Sequence, residues 1–193
     1  MTIRELAEKS RSYRKYDNSV KIPREELLSF IDAARFAPSS VNYQPLKYYI
    51  SCDDATNAKI RPNTYWARLL PDYDGPHGDD NPSAYIIILF DRELQPNADR
   101  FDKDVGINAQ TILLAAVEAG YGGIMIGNID RDKLRKALAI DERYDIRLVL
   151  AVGKPAEDII LEELKPGQST AYYRDAEDRH HVPKRTLCEI VIN

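Results

Sequence analysis

The sequence feature that most constrains the fold is an unbroken apolar run of seven residues, Ala84 to Phe90. The run is rich in β-branched residues, and its length suits a strand better than a helix. A strand without a polar face must be covered on both sides, so the run predicts a layered domain built around a buried sheet. It is far shorter than the ~18 apolar residues that a membrane-spanning helix needs.

Helical and strand patterns alternate along the rest of the 193 residues and predict a single α+β or α/β domain. Helices are predicted over 3–9, from 23 to about 37, over 102–119 and from 131 to 140. Strands are predicted over 46–50, 84–90, 122–127 and 146–152. Residues 53–82 are predicted to form a long irregular loop that covers a functional site, 154–183 to be irregular, and 186–192 to form a last short element.

The helix over 102–119 is apolar around most of its circumference. Such a helix is expected to be buried nearly all round. A helix on the surface of a lone domain would not be, so the pattern predicts burial in an interface between two copies of the chain.

Charge and cysteine content narrow the function classes. The chain carries 27 basic and 31 acidic residues and a formal net charge of −4, which argues against bulk binding to nucleic acid or to an anionic membrane. Cys52 and Cys188 provide neither a disulfide framework nor a metal-binding spacing, so no metal is expected. Charged residues occupy positions 4–9, where a signal peptide would be apolar, and a cytoplasmic location is expected.

Three segments carry groups that could bind a ligand. Residues 10–15 hold two arginines, a lysine and two hydroxyls, a combination that fits a phosphate. Residues 38–45 place amide and hydroxyl groups between two prolines and could read the polar edge of a heteroaromatic ring. Residues 183–186 add two adjacent cations. Taken alone, each segment is equally consistent with a solvated basic loop or a plain turn.

Together, in this order, the segments carry a family resemblance. Ser-Arg-Ser-Tyr-Arg-Lys-Tyr at 10–16, Ala-Ala-Arg-Phe-Ala-Pro-Ser-Ser-Val-Asn-Tyr-Gln-Pro at 33–45, the helix from Asp104 to Ala116 and the Gly-rich segment 120–127 are similar to motifs of the flavin-dependent nitroreductase family. Two positions depart from the family pattern. Ser10 stands where the family has an arginine, so Lys184 is a plausible substitute phosphate contact, and Leu46 replaces a large aromatic residue.

The resemblance implies a nitroreductase-like α+β fold with three layers: a central, mainly antiparallel sheet flanked by helices, in an intertwined homodimer. It implies FMN at the dimer interface, reduced by NADH or NADPH and re-oxidised by a nitroaromatic, a quinone or a similar flat acceptor in a ping-pong reaction. Another reaction of the same superfamily (a dehydrogenase, a reductive dehalogenase or an enoyl-type reductase) and a non-catalytic flavin-binding redox sensor remain as alternatives.

The resemblance also implies roles for individual residues. No residue is expected to act as nucleophile or general base, because the flavin performs the chemistry. Arg14 would stabilise negative charge at N1 and the C2 carbonyl of the flavin. From their place in the long loop 53–82, and not from the resemblance, Tyr65 and Trp66 are expected either to stack over the flavin or substrate or to anchor that loop. The implied cofactor-binding residues are Arg11, Ser12, Arg14, Pro38, Ser39, Ser40, Asn42, Gln44, Ile126, Gly127, Lys184 and Arg185.

The remaining polar candidates are assigned ordinary structural roles. His180 and His181 lie in a charged stretch and are predicted to be surface histidines, although a proton donor is conceivable. Both cysteines are predicted to be fillers. Asp104 and Asn108 lie one turn apart on the central helix and are predicted to satisfy backbone or interface hydrogen bonds.

Overall fold

An antiparallel sheet of five strands forms the centre of the protein, in a computed structural model that describes residues 1–67, 69–70 and 73–193. The strands are β1 (Tyr16–Asp17), β2 (Leu46–Ser51), β3 (Ala84–Asp91), β4 (Gly122–Ile126) and β5 (Tyr144–Pro155). The long strand β5 pairs with β3 along one edge and with β4 along the other, while its last two residues pair with β1. β2 completes the sheet on the far side of β3.

Helices cover both faces of this sheet. Ile86 and Ile88 of β3 pack toward helices α2 (Arg24–Ala34) and α4 (Asp102–Glu118). The alternate residues of β3 face a second core that includes residues of α3 (Asp54–Ile60) and α5 (Arg131–Leu138). All eight residues of β3 are buried, as its apolar run predicts. The prediction of a layered α+β domain with an antiparallel sheet is confirmed.

The N-terminal ends of the short helices follow from capping chemistry. Thr2 and Glu5 form a capping box at α1 (Ile3–Lys9), and Thr186 and Glu189 form another at α6 (Leu187–Ile190). The carboxylate of Asp130 accepts a hydrogen bond from the backbone of α5. These side chains satisfy donors that the helices themselves leave open.

Helix α4 is only partly buried within one chain. Its inner face, which includes Ala109, Ile112 and Ala116, is enclosed in the core between the sheet and α2. Gly106, Ile107 and Gln110 are exposed, and the side chain of Ile107 keeps 39% of its accessible surface. This face is therefore open within the single chain, and its burial against a second copy of the chain stays a prediction.

A second sheet occupies residues that were expected to be irregular. It contains β6 (Ile159–Glu163), β7 (Tyr173–Arg174) and β8 (His180–Lys184), with β8 in the middle. β6 and β8 run parallel, and β7 is antiparallel to β8. The prediction of an irregular 154–183 segment is wrong because these strands are short and charged and pair over a long sequence separation.

The stretch 53–82 is also more regular than predicted. Asp53 caps α3, which continues into a 3₁₀ turn over Arg61–Asn63. A continuous irregular loop is therefore the wrong description of its first part. Arg68, Pro71 and Asp72, which belong to this predicted loop, lie outside the described residues. In the described part of the chain, no helix combines the length and hydrophobicity that crossing a bilayer demands.

Candidate functional site

Three cations of the predicted ligand-binding segments line one open cavity of about 290 Å³. Arg11 and Arg14 come from the N-terminal segment, and Lys184 comes from the end of β8. The cavity therefore joins residues that lie some 170 positions apart in the sequence. Its other walls are formed by Ser10, Ser12, Gln110, Leu113, Gly123, Ile124, Met125, Tyr172, His180 and Val182.

Two glycines of β4 lie where the N-terminal segment meets the sheet. Ser12 forms a parallel bridge with Gly123, and the backbone N–H of Tyr13 donates to the Gly123 carbonyl at 3.2 Å. A Cβ on Gly122 would lie 2.5 Å from the ring of Tyr13, and a Cβ on Gly123 would lie 2.6 Å from the carbonyl oxygen of Ala151. Gly122 is thus required for the approach of the N-terminal segment, and Gly123 for the close packing of β4 against β5.

Arg14 is a buried guanidinium without an ion-pair partner in the described part of the chain. Its side chain lies 4.6 Å above the ring of Tyr172, and the residue is only 5% exposed. Nη1 donates to the Ser12 carbonyl at 2.9 Å and lies 3.0 Å from Nε2 of His180. Among the described residues, no carboxylate forms an ion pair with the Arg14 guanidinium, and its Nε has no hydrogen-bond partner. An unneutralised buried cation of this kind favours an anionic ligand.

Arg11 and Lys184 give the cavity the same sign of charge. Burial lowers the pKa of Arg11 from its ordinary value, and its Nε finds no partner in the described part of the chain. None of the described lining residues is an aspartate or a glutamate. The cavity is therefore locally positive although the net charge of the chain is −4.

Glu157 holds the N-terminal segment in place. Its carboxylate accepts hydrogen bonds from the backbone N–H groups of Arg14 and Lys15 and forms an ion pair with Arg174, and only 2% of its side chain is exposed. Tyr73 adds a hydrogen bond to the carbonyl of Arg14 at 2.7 Å. The second sheet is thus bound to the segment that carries Arg11 and Arg14.

The predicted loop 38–45 does not line this cavity and lies on another side of α4. Ser39 and Gln44 line a separate cavity of about 340 Å³ together with Asp104 and Asn108. Asn108 lines this cavity and Gln110 lines the cationic one, and residues two apart on a helix point to nearly opposite sides. Within one chain, the two predicted halves of the site are therefore apart.

Asp104 fixes this loop in an unusual conformation. Its buried carboxylate accepts hydrogen bonds from the Ser39 hydroxyl at 2.6 Å and the Ser40 backbone N–H at 3.0 Å. Three non-glycine residues of the loop have positive φ angles, and Val41 at 53° is the most unusual because it is β-branched. Such strain persists only where surrounding contacts enforce it. The hydrogen bonds of Asp104 and Asn108 agree with their predicted structural role.

The other predicted residues around the flavin occupy varied surroundings. Pro38 and Asn42 lie in the loop that Asp104 holds, and Asn42 is exposed. The side chain of Ile126 belongs to a buried core, whereas Gly127 is exposed at the end of β4. Arg185 is 58% exposed at its side chain and pairs with Glu189 at 3.6 Å.

Tyr65 and Trp66 differ in exposure. Tyr65 is 49% exposed, while Trp66 is 6% exposed and donates from its indole nitrogen to the Thr64 hydroxyl at 3.0 Å. The burial of Trp66 agrees with the anchoring interpretation. Contact of either residue with a substrate stays a prediction.

The prediction that His180 and His181 are surface histidines is wrong. His180 is 1% exposed beside Arg14, and burial followed by the charge of Arg14 lowers its pKa to about 4. His181 lies between the carboxylates of Asp175 at 2.9 Å and Glu162 at 2.6 Å, whose hydrogen bonds raise its pKa. Cys52 is partly buried and Cys188 exposed, and both are thiols.

Sequence reasoning missed His180, Tyr172 and Glu157 as parts of the site. Alternation of side chains along β8 places His180 toward the cavity, but the strand itself was not predicted. The sequence signal that could have found it is the alternation His180, Val182, Lys184, which places three cavity residues on one face.

Comparisons with known proteins agree with this architecture. A family model described as the nitroreductase family matches residues 7–154. A Bacillus subtilis protein provisionally named NAD(P)H nitroreductase YdgI is 25% identical over 185 residues, covering 80% of this chain and 88% of its own. The chain also resembles two solved structures. One is an FMN-dependent nitroreductase from Clostridium difficile R20291, with 25% identity and a TM-score of 0.62 over 79% of this chain and 87% of that one. The other is a nitroreductase family protein from Streptococcus pneumoniae TIGR4, with 18% identity and a TM-score of 0.69 over the full length of both chains.

Proposed function

Because the chain belongs to the nitroreductase family, we propose that it is an FMN-dependent oxidoreductase that takes electrons from NADH or NADPH. Bound FMN would accept hydride from the pyridine nucleotide and pass electrons to a flat acceptor such as a nitroaromatic or a quinone. The names of the similar proteins support this proposal, since they include an NAD(P)H nitroreductase and an FMN-dependent nitroreductase.

The observation that carries the proposal is the cationic cavity. A phosphate monoester has a charge near −2 at neutral pH, and three cations without an acidic neighbour among the described lining residues suit it. The buried Nε atoms of Arg11 and Arg14 lack partners in the described ranges, as expected for donors that a ligand would satisfy. The residues present therefore fit FMN.

Different residues of the cavity would bind different parts of FMN. Arg11, Ser12 and Lys184 would hold the phosphate and the ribityl chain, and Arg14 would face the pyrimidine edge of the flavin. A guanidinium there stabilises negative charge at N1 and the C2 carbonyl, which makes hydride acceptance easier. Arg185 would add to the phosphate site by its charge. Ile126 and Gly127 would approach the central ring through their backbone, since the Ile126 side chain is in the core.

The second wall of the flavin site would come from another copy of the chain. The loop that contains Pro38, Ser39, Ser40, Asn42 and Gln44 borders a separate cavity on another side of α4, so a second copy would supply this loop to a ligand in the cationic cavity. The exposed face of α4 around Gly106 and Ile107 would form the interface. We expect Ile107→Lys to shift the protein from dimer to monomer in analytical ultracentrifugation at micromolar concentration. A wild-type monomer would contradict this arrangement.

Anaerobic stopped-flow absorbance tests the reaction. The FMN-loaded protein is mixed with NADH or NADPH, then with nitroaromatic or quinone acceptors. A ping-pong oxidoreductase bleaches in the first mix and regains the oxidised flavin spectrum in the second, and steady-state plots against both substrates are parallel. Bleaching that no acceptor reverses would instead indicate a flavin-binding redox sensor. Failure of the wild-type protein to bind FMN would refute the proposed function.

A further inference from the structure

The buried histidine His180 lines the cationic cavity, and the roles proposed above for FMN binding do not include it. His180 begins β8, where its backbone N–H donates to the Asp158 carbonyl at 3.0 Å. Its ring centre lies 5.3 Å from that of Tyr172, the same ring that packs against the Arg14 guanidinium. The imidazole and the phenol thus both contact the arginine, and the closest approach is 3.0 Å between His180 Nε2 and Arg14 Nη1.

The contact between Arg14 and His180 determines the tautomer and the protonation state of the imidazole. A guanidinium only donates hydrogen bonds, so Nε2 of His180 must be the acceptor and carry no proton. The ring is then neutral, with its hydrogen on Nδ1. Burial opposes protonation of His180, and so do the neighbouring cations Arg14 and Arg174 and, to a smaller extent, His181. Asp178 favours protonation, but its effect is the smallest of these. His180 consequently stays an acceptor at neutral pH.

A neutral acceptor has a consequence that a carboxylate would not have. Nη1 of Arg14 is fixed by two acceptors, the Ser12 carbonyl and His180, neither of which is charged. An aspartate or glutamate at position 180 would orient the guanidinium equally well but would also cancel its charge. Here the orientation is fixed while the full positive charge remains for a ligand in the cavity.

We propose that His180 is a positioning residue, which orients Arg14 toward an anionic ligand through a neutral imidazole acceptor and leaves the arginine charge uncompensated. The inference rests on the proposed function, because FMN is the ligand that brings the negative charge.

Two substitutions separate positioning from simple space filling. The Oε1 of glutamine can replace Nε2 as an acceptor, so we expect His180→Gln to bind FMN within about threefold of the wild type. Leucine fills the space without an acceptor, so His180→Leu should bind FMN about tenfold more weakly, the effect of one lost hydrogen bond to a charged group. Flavin fluorescence quenching measures both. His77→Gln is the matched control, since His77 is an exposed histidine at 61% side-chain exposure.

A double-mutant cycle tests whether the effect passes through Arg14. If it does, His180→Leu has little further effect once Arg14→Leu is present, and the two losses of affinity do not multiply. Multiplicative losses would overturn the inference, as would a His180→Leu variant that binds FMN as tightly as the wild type while remaining folded by circular dichroism.

Nitrogen-15 NMR tests the imidazole itself without any ligand, and the chain has only three histidines to assign. We expect His180 to show an unprotonated Nε2 and a protonated Nδ1 from pH 8 to about pH 5. An imidazolium at pH 6, or the opposite tautomer, would overturn the inference. If the wild type does not bind FMN, the proposed function fails and His180 loses its ligand role. If it binds and only the histidine variants behave otherwise than expected, the proposed function stands.

Discussion

Replacement of Glu157 should loosen the cationic cavity although Glu157 is not among its described lining residues. The Glu157 carboxylate accepts from two backbone N–H groups and from Arg174, and the Arg174 side chain is itself only 15% exposed. Glu157→Ala leaves these donors without their acceptor. Removal of one partner from a buried ion pair typically costs about 3–5 kcal/mol, a large part of the ~5–15 kcal/mol that stabilises a domain.

Glu157→Gln separates the charge from the hydrogen bonds. The amide oxygen still accepts from the backbone, so we expect a smaller loss of about 1–3 kcal/mol. Urea unfolding at fixed protein concentration measures both free energies of unfolding. Asp32→Ala is the control, since Asp32 pairs with Arg35 on the surface with more than half of each side chain exposed, and it should change stability by less than about 0.5 kcal/mol. A Glu157→Ala variant within about 1 kcal/mol of the wild type would refute this account of how the segment is held.

Three further predictions follow from the site and its surroundings. Arg11→Ala and Lys184→Ala should each weaken FMN binding about ten- to hundredfold in equilibrium titration, and unchanged affinity in both would exclude the phosphate assignment. Gly123→Ala should destabilise the fold by about 1–3 kcal/mol, because the new Cβ would lie 2.7 Å from Leu113 Cδ2. Gly127→Ala is the control and should leave the urea midpoint nearly unchanged, because the new Cβ would meet no atom within 4 Å in the described part of the chain. The pKa of His181 is raised in the folded protein. The stabilisation by the protonated His181 is therefore complete below its unfolded pKa of about 6.5 and is lost as pH rises through its folded pKa. From pH 6.5 to 8.5, the stability of the wild type should consequently decline more than that of His181→Gln.

The main sheet and its helices were predictable because their signals are local. The apolar run of β3 requires cover on both faces, and the spacing of Leu27, Phe30 and Ala34 on α2 supplies one of the covering surfaces. The positions of Arg11 and Arg14 were also accessible, since a basic segment with hydroxyls is visible in the sequence. That Lys184 joins them was expected only from the family resemblance and is not visible in the local pattern, because that contact depends on pairing of distant strands.

The second sheet escaped prediction for a physical reason. β6 and β8 are short and charged, and their parallel pairing is a property of neither segment alone. His180 was consequently assigned to the surface along with His181, although alternation along β8 gives the two side chains different surroundings. Helix α4 presents the opposite case, where a composition typical of full burial leaves Ile107 exposed within one chain.

The most direct test of the central claim is a crystal structure of the protein with bound FMN. We expect the phosphate within hydrogen-bond distance of Arg11 or Lys184, the pyrimidine edge against Arg14, and Ser39 or Asn42 of a second chain against the isoalloxazine. Density for FMN in any other place, with these cations directed to solvent, would contradict the account.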